Sequence, residues 1–404
     1  MFRNRSLTLF LLAACVLALP AQAAAQSGRT PPPPTPTPAP APGSPPAPTP
    51  TPDHSNMEKV KVIKSDGFRN FVSDLNEQGR AGYRLERSVS YGGRGAEQTF
   101  AAVLRLDPGH AYDYDWLSSP NRNLLDLRLN TLAGKGFNFA DTYPVTACSD
   151  DEAERADDPA TVSLERFQFL KGNVFLFARR DGGGAQEREY RFYTSKLGPG
   201  KNPKETIQAA LDASPPGFRP VRVLFSKTGW VDFRVSVLLE RDLREAAPAK
   251  VEYEMVKEVR GFEKEVNKLA AGGFRLVAGG RSGMVNFGVL ARPASQASEA
   301  TVYTFLDDKK HAREFDRTVA AGNAYHGLLA GAQSCDDWEV ANQKLVFARD
   351  ASGAKREYKV LDLLERKTGA LSAAALGELR RLDAEGFRFR DVFYARGLYA
   401  VFER

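Results

Sequence analysis

The sequence predicts an α+β protein made of six strand-helix-strand-strand units in two tandem three-unit blocks, with mainly antiparallel sheets and helices on one face. Three observations predict it. A short alternating strand returns six times after Met57, a helical apolar spacing follows it, and each copy closes on an apolar run ending in Arg.

The elements run in order from the N-terminus. Arg3 and Arg5 precede an apolar run from Leu7 to Leu19 and then small residues from Ala21 to Ala25. These are the regions of a secretory signal, with Ala21-Gln22-Ala23 as a cleavage site and Ala23-Ala24-Ala25 as a second candidate, so residues 1–23 are expected to leave the mature chain. Leu12-Ala13-Ala14-Cys15 offers an alternative, a lipoprotein through Cys15. The apolar stretch, however, continues through Val16-Leu17-Ala18-Leu19. Apart from the signal, no stretch is long and apolar enough for a transmembrane segment. Residues 24–56 read as a disordered Pro-rich linker. Of the 22 residues from Pro31 to Pro52, 13 are Pro. At ~3.1 Å per residue such a stalk could hold the folded part as much as ~70 Å away.

The six first strands begin at Val60, Tyr112, Tyr190, Val251, Val302 and Tyr358. Helices follow, as in Phe262, Val266 and Leu269 or Phe68, Phe71 and Leu75, with Pro203 at a first helical position. They end in Gly82-Tyr83, Gly136-Phe137, Gly217-Phe218, Gly273-Phe274 and Gly386-Phe387, where Gly takes the left-handed stop. The fifth copy reads Gly322-Asn323-Ala324-Tyr325, with Asn323 expected in that conformation and Tyr325 as the aromatic. Closing Arg residues stand at 105, 179, 241, 292, 349 and 404. Val174 to Tyr190 reappears as Lys344 to Tyr358, and Cys148-Ser149-Asp150-Asp151 as Cys335-Asp336-Asp337. A doubled three-unit block follows, 57–242 and then 250–404.

Glu357-Tyr358-Lys359-Val360-Leu361 followed by Leu379 to Phe387 resembles a family of small bacterial domains of unknown function. Those domains carry a Tyr-x-Tyr-Lys-Val strand, a Leu-x-x-Leu helix and a Glu-Gly-Trp motif. Phe or Tyr stands here where that family has Trp. The resemblance implies a small α+β fold and no activity, cofactor or site residue.

Composition narrows the function. The chain of 404 residues has 56 Lys+Arg against 50 Asp+Glu; without Arg3 and Arg5 the excess is 54 minus 50, or +4. So small an excess argues against a dedicated nucleic-acid binder. Three Cys and four His exclude a four-Cys zinc site and leave no metal-ligand spacing, so no metal or cofactor is expected. Gly92-Gly93-Arg94-Gly95 and Gly182-Gly183-Gly184 lie between strands and read as hairpin turns. The acidic run Asp150 to Asp158 lacks a calcium-loop pattern. His311 and His326 have no carboxylate or Cys at catalytic spacing.

One pattern is more specific. Arg84, Arg219, Arg275 and Arg388 follow the landmark aromatic, replaced by Asn138 and His326 in the second unit of each block. Four Arg at one position are candidates for bidentate binding of anionic groups, although an outward strand residue is often Arg without function. Cys148 and Cys335 are a disulfide candidate, because export places them in an oxidising compartment. Taken together, these features predict an exported, non-catalytic binding or structural module, periplasmic or extracellular. Its expected partner is an anionic cell-envelope component or another envelope protein. The alternative is an envelope-polymer hydrolase with a site between the two blocks.

Overall fold

In the computed structural model the described residues are 58–92, 98–118, 122–145, 172–182, 187–197, 203–227, 233–245, 251–258, 260–282, 285–294, 300–307, 310–331, 343–349 and 356–404. They belong to one unit, Thr51–Arg404. The signal, the Pro-rich linker, Cys15, Cys148, Cys335 and the acidic run lie outside the described residues. The fold is α+β: six three-stranded, mostly antiparallel sheets and six helices among the described residues.

In chain order the elements are β1 (Val60–Asp66), α1 (Phe68–Arg80), β2 (Tyr83–Gly92), β3 (Gln98–Leu106), β4 (Tyr112–Ser118), α2 (Arg122–Gly134), β5 (Asn138–Val145) and β6 (Gly172–Arg180). Next come β7 (Arg188–Leu197), α3 (Pro203–Asp212), β8 (Arg219–Lys227), β9 (Phe233–Asp242), β10 (Val251–Glu258), α4 (Phe262–Ala271), β11 (Arg275–Ser282) and β12 (Val285–Pro293). The last are β13 (Val302–Asp307), α5 (His311–Ala320), β14 (Ala324–Gly331), β15 (Lys344–Arg349), β16 (Tyr358–Asp362), α6 (Ala373–Ala384), β17 (Arg388–Tyr394) and β18 (Leu398–Glu403). Within each sheet the third strand in sequence lies between the other two, as in β1-β3-β2. Numbering the sheets in chain order, from sheet 1 (β1, β2, β3) to sheet 6 (β16, β17, β18), sheets 4 and 5 are joined through a parallel pair, Gly280 with Ala330 and Arg281 with Gly331, between β11 and β14.

The central strands are apolar on both faces, and this decides how the sheets stack. In β3, Phe100, Ala102 and Leu104 join a buried cluster with Phe71 and Leu75 of α1 and Tyr114, Tyr143 and Leu176 of sheet 2. The alternate residues Ala101 and Val103 turn the other way, into a cluster with Leu382 of α6, Phe387 and Phe402 of β18. A strand buried on both faces reads as a continuous apolar run rather than an alternating one. The pattern repeats in β6, where Val174 and Leu176 face sheet 1 while Phe175 and Phe177 face sheet 3. Further clusters join sheets 3 and 4, 4 and 5, and 5 and 6.

Six sheets linked by six clusters, the last leading back to the first, form a closed ring. Each helix lies between its own sheet and the next, α6 against β1 included. Buried clusters cross both boundaries between residues 57–242 and 250–404. Val235, Val237 and Leu239 meet Phe287 and Val289, and Val60, Val62 and Val103 meet Phe387, Ala400 and Phe402. Among the described residues, no helix is long and apolar enough to cross a membrane.

The junctions between sheets share polar devices. The first strand of each sheet is an edge, and in sheets 2, 3 and 5 a helical Asn from the preceding segment satisfies its outward groups. The Asn130 side chain accepts from the Tyr190 N–H at 3.0 Å and donates to its carbonyl at 2.9 Å. Asn76 does the same to Tyr114, and Asn267 to Tyr303. In return, the hydroxyls of Tyr114, Tyr190, Tyr303 and Tyr358 accept from the backbone N–H groups of Leu85, Phe139, Leu276 and Tyr325 at 2.8–3.0 Å. Asn130→Ala should therefore cost about 1–3 kcal/mol, because it strands the edge groups of a buried strand. Urea unfolding checks this, and a loss near zero would mean that water replaces the amide.

Helix α1 approaches β4 so closely that a Cβ on Gly79 would lie 2.2 Å from the Tyr112 carbonyl oxygen. Four of the six closing Arg residues turn back on the aromatic at the end of their own helix segment. The guanidiniums of Arg179, Arg241, Arg292 and Arg404 sit 4.4–5.2 Å from the ring centroids of Phe137, Phe218, Phe274 and Phe387. Arg292 also donates to the Gly272 carbonyl at 2.8 Å and pairs with Glu252 at 2.6 Å. Stacking and helix-end capping account for the repetition of this Arg.

The fifth segment corrects the sequence alignment. Gly322, at φ 85°, is the left-handed residue, as Gly82, Gly136, Gly217, Gly273 and Gly386 are in theirs, and Asn323 has no positive φ. Asn323, not Tyr325, therefore stands in the position of the landmark aromatic. Ala324 pairs with Ala348 as Arg84 pairs with Arg105, which makes Ala324 rather than His326 the counterpart of Arg84.

Candidate functional site

The second strand of every sheet carries a β-bulge. The register shifts between Leu85 and Arg87, Phe139 and Asp141, Pro220 and Arg222, Leu276 and Ala278, Tyr325 and Gly327, and Phe389 and Asp391. A bulge bends its strand and re-aims the next side chain. All six residues after a bulge line one cavity of about 430 Å³, to which all six second strands contribute. Around the ring from sheet 6 to sheet 5 these positions read Asp391, Arg87, Asp141, Arg222, Ala278 and Gly327. Four alternating charges are followed by two residues with almost no side chain.

The polar side is well held. Arg222 pairs with Asp141 Oδ1 at 2.6 Å, the Thr142 N–H donates to the same oxygen at 2.8 Å, and Ser88 Oγ donates to Oδ2 at 2.5 Å. With its proton given to Asp141, Ser88 accepts from the buried Tyr143 hydroxyl at 2.6 Å. Asp391 repeats the arrangement in sheet 6: its Oδ1 accepts from the Val392 N–H at 2.9 Å and its Oδ2 from the Tyr325 hydroxyl at 3.0 Å. Arg390 is directed to Glu403 at 2.6 Å. Arg87 is exposed to the cavity and makes no hydrogen bond or ion pair with a described residue. The opposite wall is formed by Leu276, Val277, Ala278, Gly327 and Leu328, with His326 and Gln343 as its polar residues. A Cβ placed on Gly327 would meet nothing within 4 Å.

Burial raises the carboxyl of Asp391 above its usual range, against the opposing pull of Arg87, the Val392 N–H and the Tyr325 hydroxyl. Burial likewise pushes the Tyr143 and Tyr325 hydroxyls well up, with Asp141 and Asp391 adding to the effect. Because the fold holds the Asp391 proton more tightly than the unfolded chain, where it leaves near pH ~3.9, the sign follows. The stability this group contributes is fully present below that pH and is lost as pH rises through the raised value. Asp391→Asn should thus gain on the native protein between pH 4 and pH 7, read as the difference in urea midpoints. A difference that shrinks over this range would contradict the burial argument.

Of the residues expected from sequence to bind, Arg84, Arg219, Arg275 and Arg388 are the first or second residues of the second strands of four different sheets, and none lines the cavity. Arg84 is half exposed and pairs with Glu86 at 2.7 Å, while Arg219 lies 3.8 Å from Glu240 and 3.9 Å from Glu245. Arg388 is exposed, and Arg275 is half-buried. The structure does not bring these four together at the cavity. His326 is the bulged residue of β14 and lines the cavity, its Nε2 donating to the Leu276 carbonyl at 3.1 Å. His311 is buried at the start of α5, its ring against Phe393 and Tyr399.

The cavity residues escaped the sequence reading, although a signal existed. Each stands five residues after its helix-stop glycine, as Arg87 follows Gly82 and Asp391 follows Gly386. Arg84, Arg219, Arg275 and Arg388 stand three residues before these positions or their counterparts. Among the described residues, no group of three or more His, Cys, Asp or Glu is placed to hold a metal ion. No family model matches the chain, and no curated protein matches it. The resemblance of its short motifs to small bacterial domains therefore rests on those residues alone.

Proposed function

We infer that this chain is an exported, non-catalytic binding or structural module carried on a Pro-rich stalk. The strand-helix-strand-strand unit is read as the repeated element, copied into two three-unit halves that together close the ring. One observation carries the functional reading: six equivalent strands converge on a single cavity in which Arg222 is paired with Asp141 and Arg390 with Glu403. Repetition multiplies surfaces and frames a central space more readily than it assembles one reactive group.

The rival reading, a hydrolase of envelope polymers with a site between the halves, can draw on Asp141 and Asp391. Glycoside hydrolysis uses two carboxyl groups available to substrate and water. Both oxygens of Asp141 are already engaged by Ser88, Thr142 and Arg222, which favours the non-catalytic reading. An anionic envelope component remains the partner class suited to Arg84, Arg219, Arg275 and Arg388. A Cys148–Cys335 disulfide would follow from export, and two titratable thiols in the native mature chain would exclude it.

The test has two arms. Residues 1–56 fused to a reporter active only after export should give activity. The purified mature chain incubated with envelope polymers should release no soluble product. Reporter silence would overturn export, and sustained product release would overturn the non-catalytic assignment.

A further inference from the structure

The ring carries an unfinished charge pattern. From sheet 6 through sheet 3 the residues after the bulges alternate as Asp391, Arg87, Asp141 and Arg222, and at sheets 4 and 5 the alternation stops at Ala278 and Gly327. Cavity space lies where two more long side chains would have stood, as the open surroundings of Gly327 indicate. Within the charged half, Arg222 is tied to Asp141 and Arg390 to Glu403. That leaves Arg87 and Asp391, opposite in charge and electrostatically coupled across the same cavity, yet forming no ion pair with each other.

We propose that this cavity binds a small zwitterion, a free α-amino acid with an apolar side chain or a comparable amino-carboxylate. Its carboxylate meets Arg87, its ammonium meets Asp391, and its side chain lies against Val277, Ala278 and Leu328. The proposal rests on the binding-module reading and names its ligand class.

Charge balance selects the class. A simple anion would satisfy Arg87 but face the carboxylates of Asp391 and Asp141. A simple amine would satisfy Asp391 but face Arg87. Only a ligand with both charges answers both groups without adding net charge to a half-enclosed site, where uncompensated charge is costly. An Arg guanidinium matches a carboxylate in a two-bond fork. Asp391 Oδ1 and Oδ2 each accept one protein hydrogen bond, so each retains a lone pair for an ammonium. The apolar residues of the opposite wall include Val277, which is 52% exposed. A volume of about 430 Å³ falls inside the ~300–1,000 Å³ range of small-molecule sites.

The experiment titrates the purified mature chain by calorimetry with leucine, valine and phenylalanine, then with their N-acetyl and amide derivatives. The first lacks the ammonium and the second the carboxylate. At least one free amino acid should bind, with both of its derivatives about tenfold weaker or worse, as loss of a charge-assisted contact predicts. Arg87→Gln and Asp391→Asn, each checked for a cooperative thermal transition, should weaken binding by a similar factor. The derivative series on the native protein gives its answer even where a variant fails to fold. No binding by any of the three amino acids, or derivatives that bind as well as the parent, would overturn the ligand assignment and leave the non-catalytic reading intact. Release of product from envelope polymers would overturn both.

Discussion

Residues 250–404 expressed alone should fail to hold a native fold, although they comprise three whole sheets and four of the buried clusters draw on them. Cutting the ring there opens two junctions. At one, Phe287 and Val289 lose Ile207, Val235, Val237 and Leu239. At the other, Phe387, Ala400, Leu398 and Phe402 lose Val60, Val62, Tyr91 and Val103. Each large apolar side chain returned to water forfeits about 1.5–3 kcal/mol. Several at each junction together exceed the ~5–15 kcal/mol that stabilises a whole domain. Circular dichroism and amide exchange should find the fragment without persistent tertiary structure, while the mature chain is folded. A fragment that unfolds cooperatively with native-like protection would mean that the halves are independent domains.

Phe71→Ala should cost about 3–5 kcal/mol, the range for removing a buried aromatic from a packed core. Phe71 is fully buried in α1, with ring centroids of Phe100 at 5.3 Å and of Tyr143, from the next sheet, at 5.7 Å. One truncation therefore loosens two sheets at once. The midpoint of urea unfolding should fall without a change in slope, since the variant loses stability rather than unfolding in separate steps. A loss under about 1 kcal/mol would show that the junction between sheets 1 and 2 is not close-packed.

Much of this architecture could be read from the residues, and the reasons for the remainder are physical. The first strands, the helix-stop glycines and the closing Arg residues were legible because each answers a local requirement: alternation, left-handed backbone, and a cap on the helix end. Phe68, Phe71 and Leu75 reveal the buried face of α1 by spacing alone. Ring closure was not legible, because the pairing of Val60 and Val62 with Phe402 joins the two ends of the folded chain and leaves no local trace. The alternation of Phe100, Ala102 and Leu104 with Ala101 and Val103 hinted at a strand buried on both faces, but only packing assigns each face its partner. The cavity was missed for a different reason. A β-bulge adds one residue and reverses the expected facing, so Arg87 and Asp391 turn to the axis at positions that simple alternation does not single out.

Closure of the ring is tested most directly by moving the chain ends. The Arg380 guanidinium of α6 lies 2.5 Å from the Glu58 carboxylate, and Arg105 lies 3.0 Å from Asp383, so the start and finish of the ring are neighbours. A permutant that begins at Val251, runs to Arg404, passes through a short Gly-Ser linker to Glu58 and ends at Glu245 keeps every sheet and every cluster. Its urea unfolding should be a single transition within about 2 kcal/mol of the native order, because only a surface connection has moved. A permutant that remains unfolded, or that unfolds in two separate steps, would mean that the sixth sheet does not return to the first.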